Sequence, residues 1–552
     1  MAKKDLIKKT VFSVLLAVAV GFAVFYIWLP PINPQAPEFW TFLTVIFAAA
    51  SVPFLGFRIQ KQERIKNTRG GGKRVIIEKD FKFNKWIIAA VAAPICIMLI
   101  GQIISLTLFN AKSYAAVISV EESDFATDMP ESTEITNIAL MDKESARMLG
   151  NKELGSLSNV ISQYTLSDYY TQINYNGTPK KVANLEYDDF FKWLGNKESG
   201  VPGMVMVDPV NSSAEYRAFS KPMYYVESAY FNQDLIRKLR FSYPTKIFNS
   251  VSFEVDDQGN PYYIVSCSRP QVAMFGASDI DEVIIFNPCD GTGEIYALKD
   301  TPNWIDIVYT GDLACEKYNW HGMLSGGFFN SIIGNVGCKQ ATDDFGYVAL
   351  GDDVWYFTGV TSAVSDDKSN IGFILSNART GEYKFYPVIG TEEHSAMDAA
   401  EGEVQEKGYV ASFPSLINVS GEPTYIMVLK DDGGRVKLYA LVNIENYNIV
   451  ATGSTQADAM SSYKKLLKQN DLGIGDEDTN KKADITVENV RIAMVSDVAT
   501  VYITADDGNV YKGYLEADEA LILIRGGDKL SVSFTESGIE RIFTISSWSF
   551  IQ

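Results

Sequence analysis

The chain has 552 residues, of which 49 are basic and 68 acidic, so its formal net charge is −19. An acidic excess of that size disfavours nucleic acid as a partner. With two histidines and no Gly-x-Ser-x-Gly or His-Glu-x-x-His motif, the sequence lacks the parts of a Ser-His hydrolase or a zincin.

Three spans without charged side chains come first, Thr10–Leu29, Phe39–Phe57 and Trp86–Phe109. Each is long enough to cross a hydrocarbon layer of about 30 Å as a helix. Lys3, Lys4, Lys8 and Lys9 precede the first span, and the 58–85 loop carries ten Lys and Arg. The short loop Pro30–Glu38 carries none. Basic residues collect on the cytoplasmic side, so the N-terminus and the 58–85 loop are expected inside and everything after Asn110 outside. The first span ends in Trp28-Leu29-Pro30-Pro31 rather than in a small-residue cleavage site, which favours a retained anchor over a signal peptide. The Gly70-Gly71-Gly72-Lys73 run lacks the context of a phosphate loop.

With 14 basic and 5 acidic residues up to Asn110, the remainder carries 35 and 63, a net charge of −28. Residues 111–150 form a polar connector. Helical patterning appears at Lys143–Tyr164 and Leu185–Leu194, and the chain then changes to short alternating runs broken by turns, the signature of antiparallel strands. The turns recur after Met204–Val207, Val283–Phe286, Phe373–Leu375 and Tyr425–Leu429, at Asp208-Pro209, Asn287–Gly293, Asn377–Gly381 and Asp431–Gly434. Asn and Gly there supply the positive φ of a tight hairpin.

An internal echo sits within this region. Ser242-Tyr243-Pro244 and Gly259-Asn260-Pro261-Tyr262-Tyr263-Ile264 are matched by Ser412-Phe413-Pro414 and Gly421-Glu422-Pro423-Thr424-Tyr425-Ile426. Helical patterning precedes each copy, at Val226–Leu239 and Ser395–Lys407, and a hairpin follows. Two related α+β units, each a helix plus an antiparallel sheet, are therefore expected at 151–340 and 341–470. After the helix Thr455–Lys468 and a polar linker at Asp471–Asp478, five or six short strands at 483–552 predict a small β-barrel of OB or SH3-like kind.

The helix-plus-strand pattern with Asn287–Glu294 and Asn377–Glu382 turns resembles PepSY-type extracytoplasmic modules. The chain as a whole is similar to uncharacterised membrane-anchored proteins of Gram-positive gut bacteria. The resemblance implies a module that binds or restrains peptides and proteases, and it transfers no catalytic residue.

Four cysteines lie after the spans: Cys267, Cys289, Cys315 and Cys338. Three pairings are open, of which Cys267–Cys289 with Cys315–Cys338 fits the strand ends best, free buried thiols being the alternative. Their spacings do not suit zinc, and Cys96 reads as an apolar residue of the third span. His321 reads as packed or capping and His394 as a surface residue. Trp193, Trp304, Trp320 and Trp355 read as core, with a binding groove between units as the functional counterpart. Adjacent carboxylates, such as Asp188/Asp189, Asp256/Asp257 and Asp352/Asp353, leave room for a glycosidase pair. The expectation is a plasma-membrane, multi-pass, non-enzymatic binding or scaffold protein of the bacterial envelope, without cofactor or metal, that engages a peptide or protein. An envelope hydrolase working on a glycan or peptide through paired carboxylates is the alternative, and a subunit of a larger membrane assembly a third reading.

Overall fold

Apolar side chains with no charge among them favour a helix wherever backbone polar groups must satisfy one another. In the computed structural model, which describes residues 2–54, 60–67, 73–80, 85–132, 140–342, 344–351, 353–363, 369–470, 472, 481–495, 498–515, 518–536 and 541–551, three helices fit that rule. They are α1 (Ala2–Trp28), α2 (Pro37–Ser51) and α3 (Lys85–Ile104). The stretches Ile7–Trp28, Pro37–Phe54 (α2 with the 3₁₀ turn that follows it) and Lys85–Ile104 are long and apolar enough to cross a membrane. α2 stops short of the expected span because Pro53 falls in a 3₁₀ turn, Val52–Phe54. α3 ends at Ile104, where the Ser105 hydroxyl bonds back to the Gly101 carbonyl and Leu106 is extended. A new helix, α4 (Thr107–Ala115), then begins. Between α2 and α3, Gln60–Asn67 and Lys73–Asp80 pair as an antiparallel hairpin. Arg58, Lys82 and the Thr68–Gly72 run lie outside the described residues, as do Glu134 of the connector, Asp352, and Asp471 and Gly473–Asp478 of the linker.

The chain divides into two compact bodies, Met1–Ile417 with Pro423–Ser462, and Asn418–Glu422 with Tyr463–Gln552. Before Tyr463, the same design occurs four times along the chain, as a helix followed by an antiparallel meander whose strands pair in chain order. The first set has helix Lys143–Ser156 and strands Thr171–Tyr175, Thr178–Tyr187, Val201–Asp208 and Ser213–Met223. The second has helix Leu235–Ser242 and strands Ile247–Val255, Pro261–Val272, Gly276–Asn287 and Thr292–Ala297. The third has helix Gly311–Leu324 and strands Gly346–Leu350, Asp353–Ser362, Gly372–Asn377 and Tyr383–Tyr386. The fourth has helix Glu393–Glu403 and strands Ser415–Val419, Glu422–Lys430, Val436–Asn443 and Val450–Gly453.

One residue fixes the register of every copy. The third strand ends in Asp208, Asn287, Asn377 and Asn443, and each side-chain oxygen accepts backbone N–H groups two or three residues on. The bonds come from Val210 and Asn211, from Cys289, from Arg379 and Thr380, and from Asn446, at 2.7–2.9 Å. These Asx turns replace a ladder bond with a local one and reverse the chain. The fourth copy's equivalent turn is thus at Asn443 rather than at Asp431, which closes the preceding hairpin.

Alternating side chains send the second and third sheets into two cores each. On Pro261–Val272, Val265 and Cys267 join the cluster shared by the first and second sets, while Ile264 joins Ile305, Val308 and Leu313 on the other face. The third and fourth sheets share a core with Phe357, Phe373, Tyr425 and Ala396. Helix Gly311–Leu324 covers the third sheet's second face through Ala314 and Tyr318. The polar connector departs from expectation. Val120–Glu122 pairs in parallel with Tyr383–Phe385, and Asp128 binds Lys384 and Tyr386.

The meanders are fastened to the helices at two points. The Val272–Gly276 hairpin tip meets α3 at Gly101, where an added Cβ would lie 2.4 Å from Phe275, and the Ser105 hydroxyl accepts from Met274 and Phe275 N–H. At α1, Arg237 donates to the Tyr26 carbonyl and stacks over its ring at 4.5 Å, and Ile32 N–H donates to the Pro244 carbonyl.

In the second body, Lys481–Val495, Val498–Ala505, Val510–Tyr514, Ile542–Phe550 and Lys529–Glu536 pair in that order, and the last pairs back to the first. Ile485, Val501, Ile503, Leu530 and Val532 fill the interior. Between the third strand and Lys529–Glu536, where a further short strand would fit the expected count, the chain forms a 3₁₀ turn, Glu519–Leu523. The Asp518 carboxylate caps it, and Leu521 closes over Gly513.

Candidate functional site

Strand Thr178–Tyr187 points Asn184 and Glu186 to one face, because side chains two apart share a face. Asn184 donates to the Glu186 carboxylate at 2.7 Å and to the Tyr263 hydroxyl at 3.2 Å, and Ser228 N–H donates to the second Glu186 oxygen at 2.9 Å. Tyr263 comes from the second sheet. The third contributes Tyr347 and Tyr356, paired across a hairpin with ring centroids 5.3 Å apart. These groups line a cavity of about 240 Å³ that Tyr169 and Tyr170 also border.

Among the described residues, three carboxyl groups line it, Glu186, Glu227 and Asp312, and no Lys or Arg does. Burial raises the Glu186 and Glu227 carboxyls above their ordinary range, and hydrogen bonds from Ser228 and Asn184 oppose that for Glu186. The Tyr170 hydroxyl packs against Gly150, where any Cβ would clash, and it is buried with no partner among the described residues. Lys181 lies behind the wall, its ammonium 5.2 Å from the Tyr347 ring centroid, and burial pushes its pKa down to about 8. A cavity of aromatic faces and carboxyls, without a resident cation, suits a cationic or amide-bearing side chain.

The sequence-adjacent carboxylates do other work. Asp189 caps helix Phe190–Asn196, Asp256 accepts from the turn N–H groups of Gln258 and Asn260, and Asp353 holds Arg379 and Asn377. The pair the fold does bring together, Glu254 and Asp306, is 52 residues apart in sequence and 0% and 3% exposed. Glu254 accepts from Asp306 N–H at 2.9 Å and Ile307 N–H at 3.0 Å, and Asp306 accepts from Asn174 N–H at 2.7 Å. Both carboxyls are pushed up, first by desolvation and, for Asp306, by the neighbouring Glu254. Their oxygens are spent on the segment they hold, and the alternation of Glu254 with the apolar core could have flagged it in the sequence.

The four cysteines are free thiols, which corrects the pairing expected from their strand ends. Cys267 sits opposite Glu282 on Gly276–Asn287, five strand residues before that strand ends. At roughly 3.3 Å per residue, Cys289 is then well beyond disulfide reach. Cys338 lies against Met323 and Asn330, and Cys315 is eight helical residues before Met323, about 12 Å along the axis. Alkylation of the unfolded chain without reductant is expected to label all five cysteines. Fewer adducts by intact mass would place a bridge in the protein. His321 bonds the Ala115 carbonyl at 2.9 Å, and His394 faces Asp344 at 3.5 Å. Trp193 and Trp355 are buried in core. Among the described residues no group of three or more His, Cys, Asp or Glu is placed to hold a metal.

No protein-family model matches the chain, and no curated protein matches it.

Proposed function

We propose that the protein is a membrane-anchored binding or scaffold protein of the bacterial envelope, whose meanders lie outside the cytoplasm and hold a side chain of a peptide or protein partner. The observation that carries this is the tyrosine- and carboxyl-lined cavity between three sheets, with no Lys or Arg among the described residues of its wall. The basic N-terminus and 58–85 loop favour the orientation, since positive loops are retained inside. Fastening of the meanders to α1 and α3 supports a scaffold, because the cavity is then held at a set height above the bilayer. The PepSY-like reading of the repeated sets and the OB or SH3-like reading of the C-terminal strands belong to this proposal, with the latter as a protein-binding module.

A photoreactive benzoyl-phenylalanine in place of Tyr169, in the full-length protein in its native membrane, tests the reading. A discrete peptide or protein adduct is expected, and Glu186→Gln with Glu227→Gln is expected to reduce it roughly tenfold. Absence of an adduct, or one indifferent to the two carboxyls, overturns the cavity as the binding site.

A further inference from the structure

From Ser325 to Cys338 the chain has no charged residue, although it lies within the acidic part of the protein. The segment contains a single π-helical turn, Asn330–Gly334, separated from the end of helix Gly311–Leu324 by residues 325–329. Phe329, Ile332, Ile333 and Val336 stand in the open at 70%, 60%, 79% and 80% exposure. Water does not favour such a display, and an exposed cluster of this kind marks a contact surface.

Several polar groups of the same segment bond within it. Asn330 donates to the Val336 carbonyl at 2.9 Å and accepts from Val336 N–H at 3.1 Å. Asn335 N–H reaches the Asn330 carbonyl at 2.6 Å, and the Ser331 hydroxyl that of Phe328 at 2.8 Å. Apolar side chains outward and polar groups inward is the arrangement a hydrocarbon medium demands.

The position names the occupant. Phe328 packs on the cluster of Ala111, Tyr114 and Leu324, and α4 continues from the end of α3. Around that junction Leu106, Leu108 and Phe109 are themselves exposed, as Ile103 and Ile104 are at the end of α3. Thr41 near the start of α2 touches Met98 near the end of α3, which puts Trp28, Pro37 and Ile104 at one end of the bundle. A second exposed apolar group, Phe191 and Phe231, is tied to that same end through Arg237, which donates to the Phe231 and Tyr26 carbonyls.

We propose that Phe328–Val336 inserts into the acyl region of the leaflet at the Trp28–Ile104 end, as a non-spanning foot beside α3. The inference rests on the three helices crossing the membrane and is independent of any partner in the cavity. Two feet flanking the spans would stop the meanders from tilting away from the lipid.

The test uses full-length protein in phospholipid nanodiscs containing a phosphatidylcholine with a diazirine on its acyl chain. After irradiation, lipid adducts are mapped by peptide mass. Adducts are expected on α1–α3 and on the Phe328–Val336 peptide. Ile332→Glu with Ile333→Glu is expected to lower the loop adduct roughly tenfold, with the helices unchanged. Labelled helices with an unlabelled loop overturn the proposal, as does a loop adduct that survives both glutamates or a loop crosslinked to a second chain instead of lipid. Unlabelled helices overturn it too, together with the membrane placement, whereas the cavity experiment on Tyr169 reads neither result.

Discussion

Unfolding of the full-length protein is expected to become easier as the pH rises from 5 to 9, and Asp306→Asn should flatten most of that dependence. Desolvation raises both Glu254 and Asp306 above the carboxylate range, and the neighbouring Glu254 raises Asp306 further. An unfolded chain releases these protons near pH 4, the folded chain only at higher pH. The folded state therefore binds more protons across the interval, and stability falls with rising pH. Buried Glu393 and half-buried Glu316 act in the same direction, while Lys181, lowered to about 8, works against them only near the top of the range. The check is the thermal midpoint against pH for the wild type, Asp306→Asn and Glu254→Gln. A wild-type midpoint that rises between pH 5 and 9 would contradict the buried acid pair.

The second large effect concerns Lys317, whose side chain is 3% exposed on helix Gly311–Leu324. Its ammonium donates to Asp279 of the second sheet at 2.5 Å and lies over the rings of Tyr309 at 4.6 Å and Tyr383 at 5.8 Å. One cation thus joins the second and third helix-plus-meander sets. Removing only the acid, in Asp279→Ala, leaves a buried charge with aromatic faces alone and is expected to cost about 3–5 kcal/mol. Replacing both, in Asp279→Ala with Lys317→Met, should recover most of that, because a flexible apolar chain fills the same slot. Denaturant midpoints of the two variants read the difference directly. A double variant no better than Asp279→Ala would mean that the slot, and not the charge, is what matters.

The parts of the fold written in local chemistry could be read from the sequence, and the parts set by distant partners could not. The three spans announce themselves because twenty uncharged residues have few other uses, and the Asn287 and Asn377 turns because a side-chain amide and a glycine four residues on reverse a strand. The Pro244/Pro414 echo matches the second set with the fourth. The first and third sets were hidden. In the first, helix Phe190–Asn196 interrupts the meander, and in the third the strand segment Gly346–Leu350 carries little alternation. Helix ends depended on caps that are simple to recognise only afterwards, as at Asp189, which starts its helix five residues later than periodicity suggests.

The candidate site was less legible. Tyr263, Tyr347 and Glu186 come from three sheets, and nothing in their local spacing relates them. The Glu254–Asp306 pair fails the adjacency by which acidic pairs were picked out, whereas the adjacent pairs are consumed by caps, turns and ion pairs. The cysteines mislead for a similar reason, since closeness to a strand end says little about which end of the neighbouring strand it meets. The uncharged Ser325–Cys338 run was visible all along, but it is too short for a span and too irregular for an amphipathic helix.

Strand Val120–Glu122 has its partner at Tyr383–Phe385, more than 250 residues later, and Ser123 N–H completes the join on the Phe385 carbonyl. During synthesis the stretch that leaves α4 must wait, unpaired, until three of the four meanders have emerged. The protein's assembly therefore has a clasp that is fitted late, and a chain truncated before residue 383 would keep its apolar helices while the strand after α4 stayed open to chaperones and proteases.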